Sequence, residues 1–123
     1  MRALVVDDSR AIRSIIGRIL SESGFEVTEA THGGEALECL RSAGPFDLAM
    51  VDWNMPEMNG YELVSAVRAN PDWASMRIVM VTTETEMAQV SRALEAGADE
   101  YVMKPFTREI LHAKLELLGL SMG

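Results

Sequence analysis

The chain has 123 residues and carries 19 aspartates and glutamates against 11 lysines and arginines, which gives a formal net charge of −8. This length suits one domain, and a composition with 48% hydrophobic and 24% charged residues is typical of a globular protein. We expect a cytoplasmic protein without a membrane anchor or direct DNA binding, because the sequence has no signal peptide, no apolar run near the ~20 residues that span a bilayer, and no cluster of basic residues.

The first predicted elements are a short strand at residues 3–6 and the helix that follows it. The strand is rich in β-branched residues and ends at Asp7 and Asp8. Ser9 is placed to cap the helix and Gly24 to end it. Five apolar residues recur with helical spacing and predict one apolar helix face: Ile12, Ile15, Ile16, Ile19 and Leu20.

The second and third strands differ in polarity. Residues 25–30 form a weaker and more polar strand, which favours a position at the edge of a sheet. A second helix is predicted after Gly33 and Gly34. The third strand, residues 47–52, is apolar on both faces, as interior parallel strands are, and it ends on Asp52.

Capping signals mark the third and fourth helices. Asn59 and Glu62 have the spacing of a capping box, and Thr83 and Glu86 repeat this spacing after a fourth strand at residues 77–82. The helix opened by the second capping box is expected to close at a glycine. A short fifth strand and a last amphipathic helix complete the series.

Five strands that alternate with five helices predict an α/β fold, a doubly wound parallel sheet with right-handed crossovers and helices on both faces. No linker, repeat or low-complexity tract interrupts the pattern, so residues 1–123 are expected to form one domain. The single cysteine, Cys39, excludes an internal disulfide. The net charge of −8 without an evident large apolar patch favours a monomer.

Polar residues collect at the carboxyl ends of the predicted strands, where ligands bind in such folds. Asp7 and Asp8 follow the first strand, Asp52 ends the third, Thr82 ends the fourth and Lys104 follows the fifth. Clustered carboxylates repel each other unless a cation joins them, and hard oxygen ligands suit Mg²⁺. A hydroxyl and an ammonium group beside the metal would complete a site for a phosphoryl group, with one aspartate as its acceptor.

Each of these residues also has a simpler explanation when it is taken alone. An aspartate that follows a strand, such as Asp7 or Asp8, commonly caps a helix, and Asp52 could open a turn. Thr82 is a typical strand residue, and Lys104 is a typical solvated residue of a loop. Their joint occurrence at the strand ends is what favours the functional interpretation.

Several segments, in this order and spacing, resemble the receiver domains of two-component response regulators, most closely the single-domain chemotaxis type (CheY-like). The resemblance covers nearly the whole chain. It rests on residues 5–9, 52–60, 81–84, 96–99 and 101–106.

The resemblance implies a flavodoxin-like strand order, 2-1-3-4-5, and a phosphoacceptor at Asp52 that is modified by the phosphohistidine of a sensor histidine kinase. It also implies a set of ligands for Mg²⁺. Asp8 and Asp52 would bind the metal directly, Asp7 would bind it through water, and the backbone carbonyl of Asn54 would be the third protein ligand.

The resemblance further implies a conformational switch. Thr82 and Lys104 would hold the phosphoryl oxygens in the modified state. Tyr101 matches the aromatic position that turns inward when the threonine hydroxyl moves toward the phosphoryl group.

Three functions are compared on these grounds. The first is a stand-alone response regulator, not an enzyme, that switches its binding to a downstream target protein on phosphorylation, as in chemotaxis. The second is a phosphorelay intermediate that passes its phosphoryl group to a histidine phosphotransfer protein. The third, a carrier of a flavin cofactor, is disfavoured because Asp7 and Asp8 would repel the cofactor's phosphate.

Overall fold

A computed structural model of the chain describes residues 1–120, apart from the side chain of Glu84. Within these residues, five strands alternate with five α-helices. In chain order they are β1 (Arg2–Val6), α1 (Arg10–Glu22), β2 (Glu26–Ala30), α2 (Gly33–Ala43), β3 (Leu48–Asp52), α3 (Gly60–Arg68), β4 (Arg77–Thr82), α4 (Val90–Ala96), β5 (Glu100–Met103) and α5 (Arg108–Leu117). Short 3-10 helices at Pro71–Trp73 and Glu84–Gln89 precede β4 and α4.

The five strands form one parallel sheet in the order β2-β1-β3-β4-β5, which confirms the predicted fold class and strand order. The polar strand β2 lies at an edge, as its sequence indicates, whereas every residue of β3 is buried. Helices α2, α3 and α4 pack on one face of the sheet, and α1 and α5 pack on the other. No helix among residues 1–120 is long and apolar enough to cross a bilayer.

Two helices begin differently from the prediction. Helix α2 starts at Gly33, because His32 lies just before it in an extended conformation and its Nδ1 atom accepts a hydrogen bond from the Glu35 amide at 3.1 Å. The predicted fourth helix starts as a 3-10 helix, since the Glu86 amide donates to the Thr83 carbonyl three residues earlier at 3.0 Å. Helix α4 itself begins only at Val90.

The apolar face of α1 is narrower than predicted. Ile16, Ile19 and Leu20 are buried against the sheet, but the side of the helix that carries Ile15 faces solvent, and Ile15 is 53% exposed. The five predicted positions cover a wider arc of the helix than the sheet can contact.

An arginine–aspartate pair joins four segments at the amino-terminal side of β4. The Arg68 guanidinium of α3 donates to Asp99 Oδ2 at 2.9 Å and to the Gly97 carbonyl at 2.9 Å. The same Asp99 oxygen accepts the Ile78 amide at 2.8 Å. Gly97 ends α4 with φ of 122°, a conformation that disfavours other residues. This anchoring of α4 gives a structural role to residues 96–99, one of the segments on which the family resemblance rests.

We expect Asp99→Ala to lower the free energy of unfolding by about 2 kcal/mol, because it removes the carboxylate that accepts the buried Ile78 amide and pairs with the half-buried Arg68 guanidinium. Urea denaturation of the parent and the variant measures this difference. Arg41→Ala is the matched control, since the Arg41–Glu38 pair is 57% and 68% exposed and its loss should change stability by less than about 0.5 kcal/mol. Equal effects of the two variants would contradict the assignment.

Candidate functional site

Three carboxylates meet at the carboxyl end of the sheet. One carboxylate oxygen from each of Asp7, Asp8 and Asp52 lies within 4.8 Å of the others. Asp7 and Asp52 are only 1% and 4% exposed, whereas Asp8 faces solvent. The structure thus brings together the three acids that the sequence places at the ends of β1 and β3.

Asp7 is fixed by its backbone as well as by its side chain. Its amide donates to the Ala30 carbonyl of β2 at 3.2 Å, and its Oδ1 atom accepts the Ser9 amide at 2.8 Å. Ser9 in turn caps α1 by accepting the Ile12 amide at 3.3 Å. Ser9, and not Asp7 or Asp8, therefore caps α1. The second carboxylate oxygen of Asp7 is directed into the site, where it faces Lys104.

Arg13 is a further residue at this site that the sequence analysis did not single out. Its Nη1 atom donates to the Asp7 carbonyl at 2.7 Å and its Nε atom to Glu29 Oε1 at 3.1 Å, and its side chain is only 12% exposed. An arginine one turn into α1, beside an otherwise apolar stripe, is the signal that could have identified it. It ties the end of β1 to the edge strand β2.

Lys104 contributes the ammonium group of the site. Its Nζ atom lies 3.2 Å from Asp52 Oδ1 and 3.4 Å from Asp7 Oδ2. Its backbone amide donates to the Thr82 carbonyl at 2.7 Å, which fixes the residue at the end of β5 beside β4. One cation thus faces two of the three carboxylates.

The protonation of Asp52 and Lys104 reflects this arrangement. Burial, followed by the charges of Asp7 and Asp8, raises the pKa of Asp52 to about 6, although Lys104 acts in the opposite direction. Burial alone would lower the pKa of Lys104, but Asp52 and Asp7 together raise it above its usual value. Asp52 is therefore mostly ionised at neutral pH, at a cost that an additional cation would relieve.

Thr82 is buried at the end of β4, but its hydroxyl group is directed toward the segment that leads to α4. The Oγ1 atom donates to the Thr83 carbonyl at 3.2 Å and lies 3.4 Å from Glu86 Oε1. The same Glu86 oxygen accepts the Thr83 amide at 2.9 Å. The Thr82 hydroxyl is therefore hydrogen-bonded to the residues that begin the 3-10 helix.

Tyr101 lies on β5, where the strand register pairs it with Met80 of β4. Its ring is half-buried and packs against the core between the sheet and helices α2, α3 and α4. The ammonium group of Lys114 lies 4.5 Å from the centre of the ring. Tyr101 and Thr82 are thus near neighbours on adjacent strands.

Gly60 allows α3 to begin close to the backbone of Asp52. A Cβ atom at this position would lie 2.8 Å from the Asp52 carbonyl oxygen and 3.0 Å from Trp53 Cα. The Gly60 amide donates to the Trp53 carbonyl at 2.8 Å and closes the loop after β3. Asn54, whose carbonyl is a predicted metal ligand, lies exposed within this loop.

The donor set fits a hard divalent cation. Carboxylate oxygens are the ligands that Mg²⁺ prefers, and the exposed position of Asp8 leaves room for the water molecules that Mg²⁺ retains. Burial and the charges of Asp7 and Asp8 raise the pKa of Asp52, so a bound cation would stabilise its ionised form.

Comparison with known proteins agrees with this geometry. The response regulator receiver domain family matches residues 3–116. A chemotaxis protein CheY homolog from Campylobacter jejuni is 48% identical over 100% of this chain and 96% of its own length. Chemotaxis protein CheY1 from Helicobacter pylori is 48% identical over 96% of both chains. The structure of the chemotaxis response regulator CheY4 of Vibrio cholerae superposes with a TM-score of 0.88 at 37% identity, covering 95% of this chain and 97% of that chain.

The chain therefore belongs to the response regulator receiver family, whose members are signalling domains that are phosphorylated and bind Mg²⁺ at an acidic pocket. Within that family it is a CheY-like response regulator of the chemotaxis type. CheY-like response regulators interact with histidine kinases and with downstream targets.

The raised pKa of Asp52 predicts a stability effect with a defined sign. When the pKa of a carboxyl group is higher in the folded than in the unfolded state, the free energy of unfolding falls as the pH rises from about 4 through about 6. In the absence of Mg²⁺, Asp52→Asn should raise the free energy of unfolding by on the order of 2 kcal/mol at pH 7.5.

Urea denaturation at a series of pH values checks this prediction, and the gain should vanish near pH 4. Glu116→Gln, which neutralises an exposed carboxylate of α5, serves as the control and should have little effect at either pH. A gain for Asp52→Asn that is the same at pH 4 and pH 7.5 would show that ionisation of the buried Asp52 carboxyl is not its cause.

Proposed function

We propose that this chain accepts a phosphoryl group on Asp52 from the phosphohistidine of a sensor kinase, in a Mg²⁺-dependent reaction, and thereby changes its binding to a downstream chemotaxis target. The observation that carries this proposal is the buried Asp52 carboxylate, which lies 3.2 Å from the Lys104 ammonium and beside the carboxylates of Asp7 and Asp8. This arrangement supplies a nucleophile, a cation for phosphoryl oxygens and oxygen ligands for a metal.

In the transfer step, an ionised oxygen of Asp52 attacks the phosphorus atom. A P–O bond forms as the P–N bond to the donor imidazole breaks, and the imidazole nitrogen leaves with the bonding electron pair. Lys104 is placed to neutralise the phosphoryl oxygens, because its ammonium already contacts Asp52. Bound Mg²⁺, held by Asp8, Asp52 and the Asn54 carbonyl with Asp7 through water, would supply further charge neutralisation.

The switch begins with the Thr82 hydroxyl group. A phosphoryl group on Asp52 offers a charged acceptor that competes with the Thr83 carbonyl and Glu86 for this hydroxyl. Movement of Thr82 toward the site vacates space beside α4. Tyr101 lies close to this space, on the adjacent strand β5. Phosphorylation thus changes the surface formed by α4, β5 and α5.

An apolar groove beside Lys104 supports an approach route for the phosphodonor. Ile12 and Ile15 of α1 line the groove on one side, and Pro105 and Phe106 line it on the other.

The relatives are chemotaxis proteins, so the phosphorelay alternative is not favoured. A cytoplasmic location, a monomeric state and a single domain over the whole chain stay predictions.

Acetyl phosphate with MgCl₂ should add one phosphoryl group to the parent protein, and intact mass spectrometry measures it. Asp52→Asn should add none, because the acceptor oxygen is replaced by an amide that is a far weaker nucleophile. The labelled product should resist acid and be cleaved by hydroxylamine, as an acyl phosphate is. Equal labelling of the parent and Asp52→Asn would overturn the proposal.

Lys104→Ala separates acceptance from switching in the same assay. We expect this variant still to be labelled at Asp52, since the nucleophile is intact. Hydrogen exchange across α4, β5 and α5 should then change less on phosphorylation than in the parent, because the cation that contacts the modified group is lost. A response as full as that of the parent would exclude Lys104 from the switch.

A further inference from the structure

Lys114 of α5 lies against the face of Tyr101 and is itself held by a neighbouring acid. Its Nζ atom is 4.5 Å from the centre of the Tyr101 ring and 3.0 Å from Glu100 Oε1. The same Glu100 oxygen accepts the Tyr101 amide at 3.0 Å. The side chains of Lys114 and Glu100 are only 24% and 22% exposed, so these contacts are partly shielded from water. Glu100, Tyr101 and Lys114 therefore form one connected cluster.

This cluster lies near Thr82, the residue whose hydroxyl group responds to phosphorylation in the proposed function. The register pairs Met80 with Tyr101 and Thr82 with Met103. Because side chains alternate along a strand, Tyr101 projects from the same face of the sheet as Thr82. Helix α4 packs on that face through Ala93, whereas Lys114 belongs to α5. A ring that turns toward the space beside α4 moves away from Lys114.

We propose that Lys114 restrains Tyr101 in its resting position and so sets the fraction of unphosphorylated protein that adopts the activated conformation. This inference rests on the proposed function of Tyr101 as the aromatic switch. An ammonium group over the face of an aromatic ring is attracted by the ring, and partial burial strengthens the attraction. Glu100 holds the ammonium in place, because one oxygen contacts both Lys114 and the backbone of Tyr101.

The restraint predicts a change in a conformational equilibrium. Removal of the ammonium group takes away a contact that only the resting position makes, so the ratio of activated to resting molecules should rise. A contact of this kind corresponds to a change of roughly two- to fivefold in that ratio. Phosphorylation would then act on a conformational equilibrium in which Lys114 favours the resting conformation.

The chain offers a matched pair of sites for the test, because its sequence contains two tyrosines and each has a cation over its ring. Lys114→Met keeps the apolar stem at Tyr101 and removes the charge. Arg92→Met makes the equivalent change at Tyr61, where the Arg92 guanidinium lies 4.7 Å from the ring centre. Lys114→Arg retains a cation at Tyr101 and should behave like the parent.

The first readout is the NMR position of the Thr82 methyl group, measured between two end points of the parent: resting, and bound to Mg²⁺ and beryllofluoride. Unmodified Lys114→Met should lie closer to the activated end point, with the activated-to-resting ratio raised two- to fivefold. Arg92→Met and Lys114→Arg should stay at the resting position. A Lys114→Met variant that stays there too, or an Arg92→Met variant that shifts as far, would overturn the proposal.

The second readout separates failure of this inference from failure of the proposed function. Three-bond couplings report the side-chain rotamer of Tyr101 in unmodified protein and need no phosphorylation. A changed rotamer population in Lys114→Met, but not in Arg92→Met, supports the restraint even if acetyl phosphate fails to label Asp52, which would refute the proposed function alone. Unchanged Tyr101 rotamers in Lys114→Met, together with normal labelling of the parent, would refute the restraint alone.

Discussion

Electrostatic repulsion among Asp7, Asp8 and Asp52 is the constraint on which the rest of the site depends. Burial of two of these carboxylates removes the water that would screen them, and the raised pKa of Asp52 is the consequence. Lys104 offsets part of the repulsion but faces only Asp7 and Asp52. Stability alone does not account for three acids at this place, whereas the proposed binding of a divalent cation and acceptance of a phosphoryl group would.

The fold holds these groups together, against their mutual repulsion, through backbone contacts that do not depend on the charges of the three carboxylates. Asp7 is tied to β2 through its amide and to α1 through Arg13, and Gly60 lets α3 begin against the carbonyl of Asp52. At the opposite end of the sheet, Arg68 anchors the end of α4 through the Gly97 carbonyl. The start of α4 follows a 3-10 segment that the Thr82 hydroxyl contacts through the Thr83 carbonyl and Glu86, so the proposed movement of this hydroxyl would act on the start of the helix.

Much of this arrangement could be predicted from the sequence, because the apolar runs identify the strands and the parallel topology then brings their carboxyl ends together. This reasoning placed Asp52 and Lys104 at one edge without knowledge of any distance. It could not find the contact of Arg13 with the Asp7 carbonyl, or the cation of Lys114 over Tyr101, since each joins separate elements through the direction of a long side chain. It also could not predict the 3-10 start of the fourth helix, because a capping box is compatible with either kind of first turn.

Thermal unfolding of the parent and of Asp8→Asn, with and without millimolar MgCl₂ at pH 7.5, tests most directly whether the acidic cluster is a metal site. Mg²⁺ that binds the folded state should raise the Tm of the parent. Asp8→Asn should be at least as stable as the parent without metal, because one repelling charge is removed, and it should lose most of the response to Mg²⁺. An equal rise in Tm for both proteins, or none for the parent, would contradict the account.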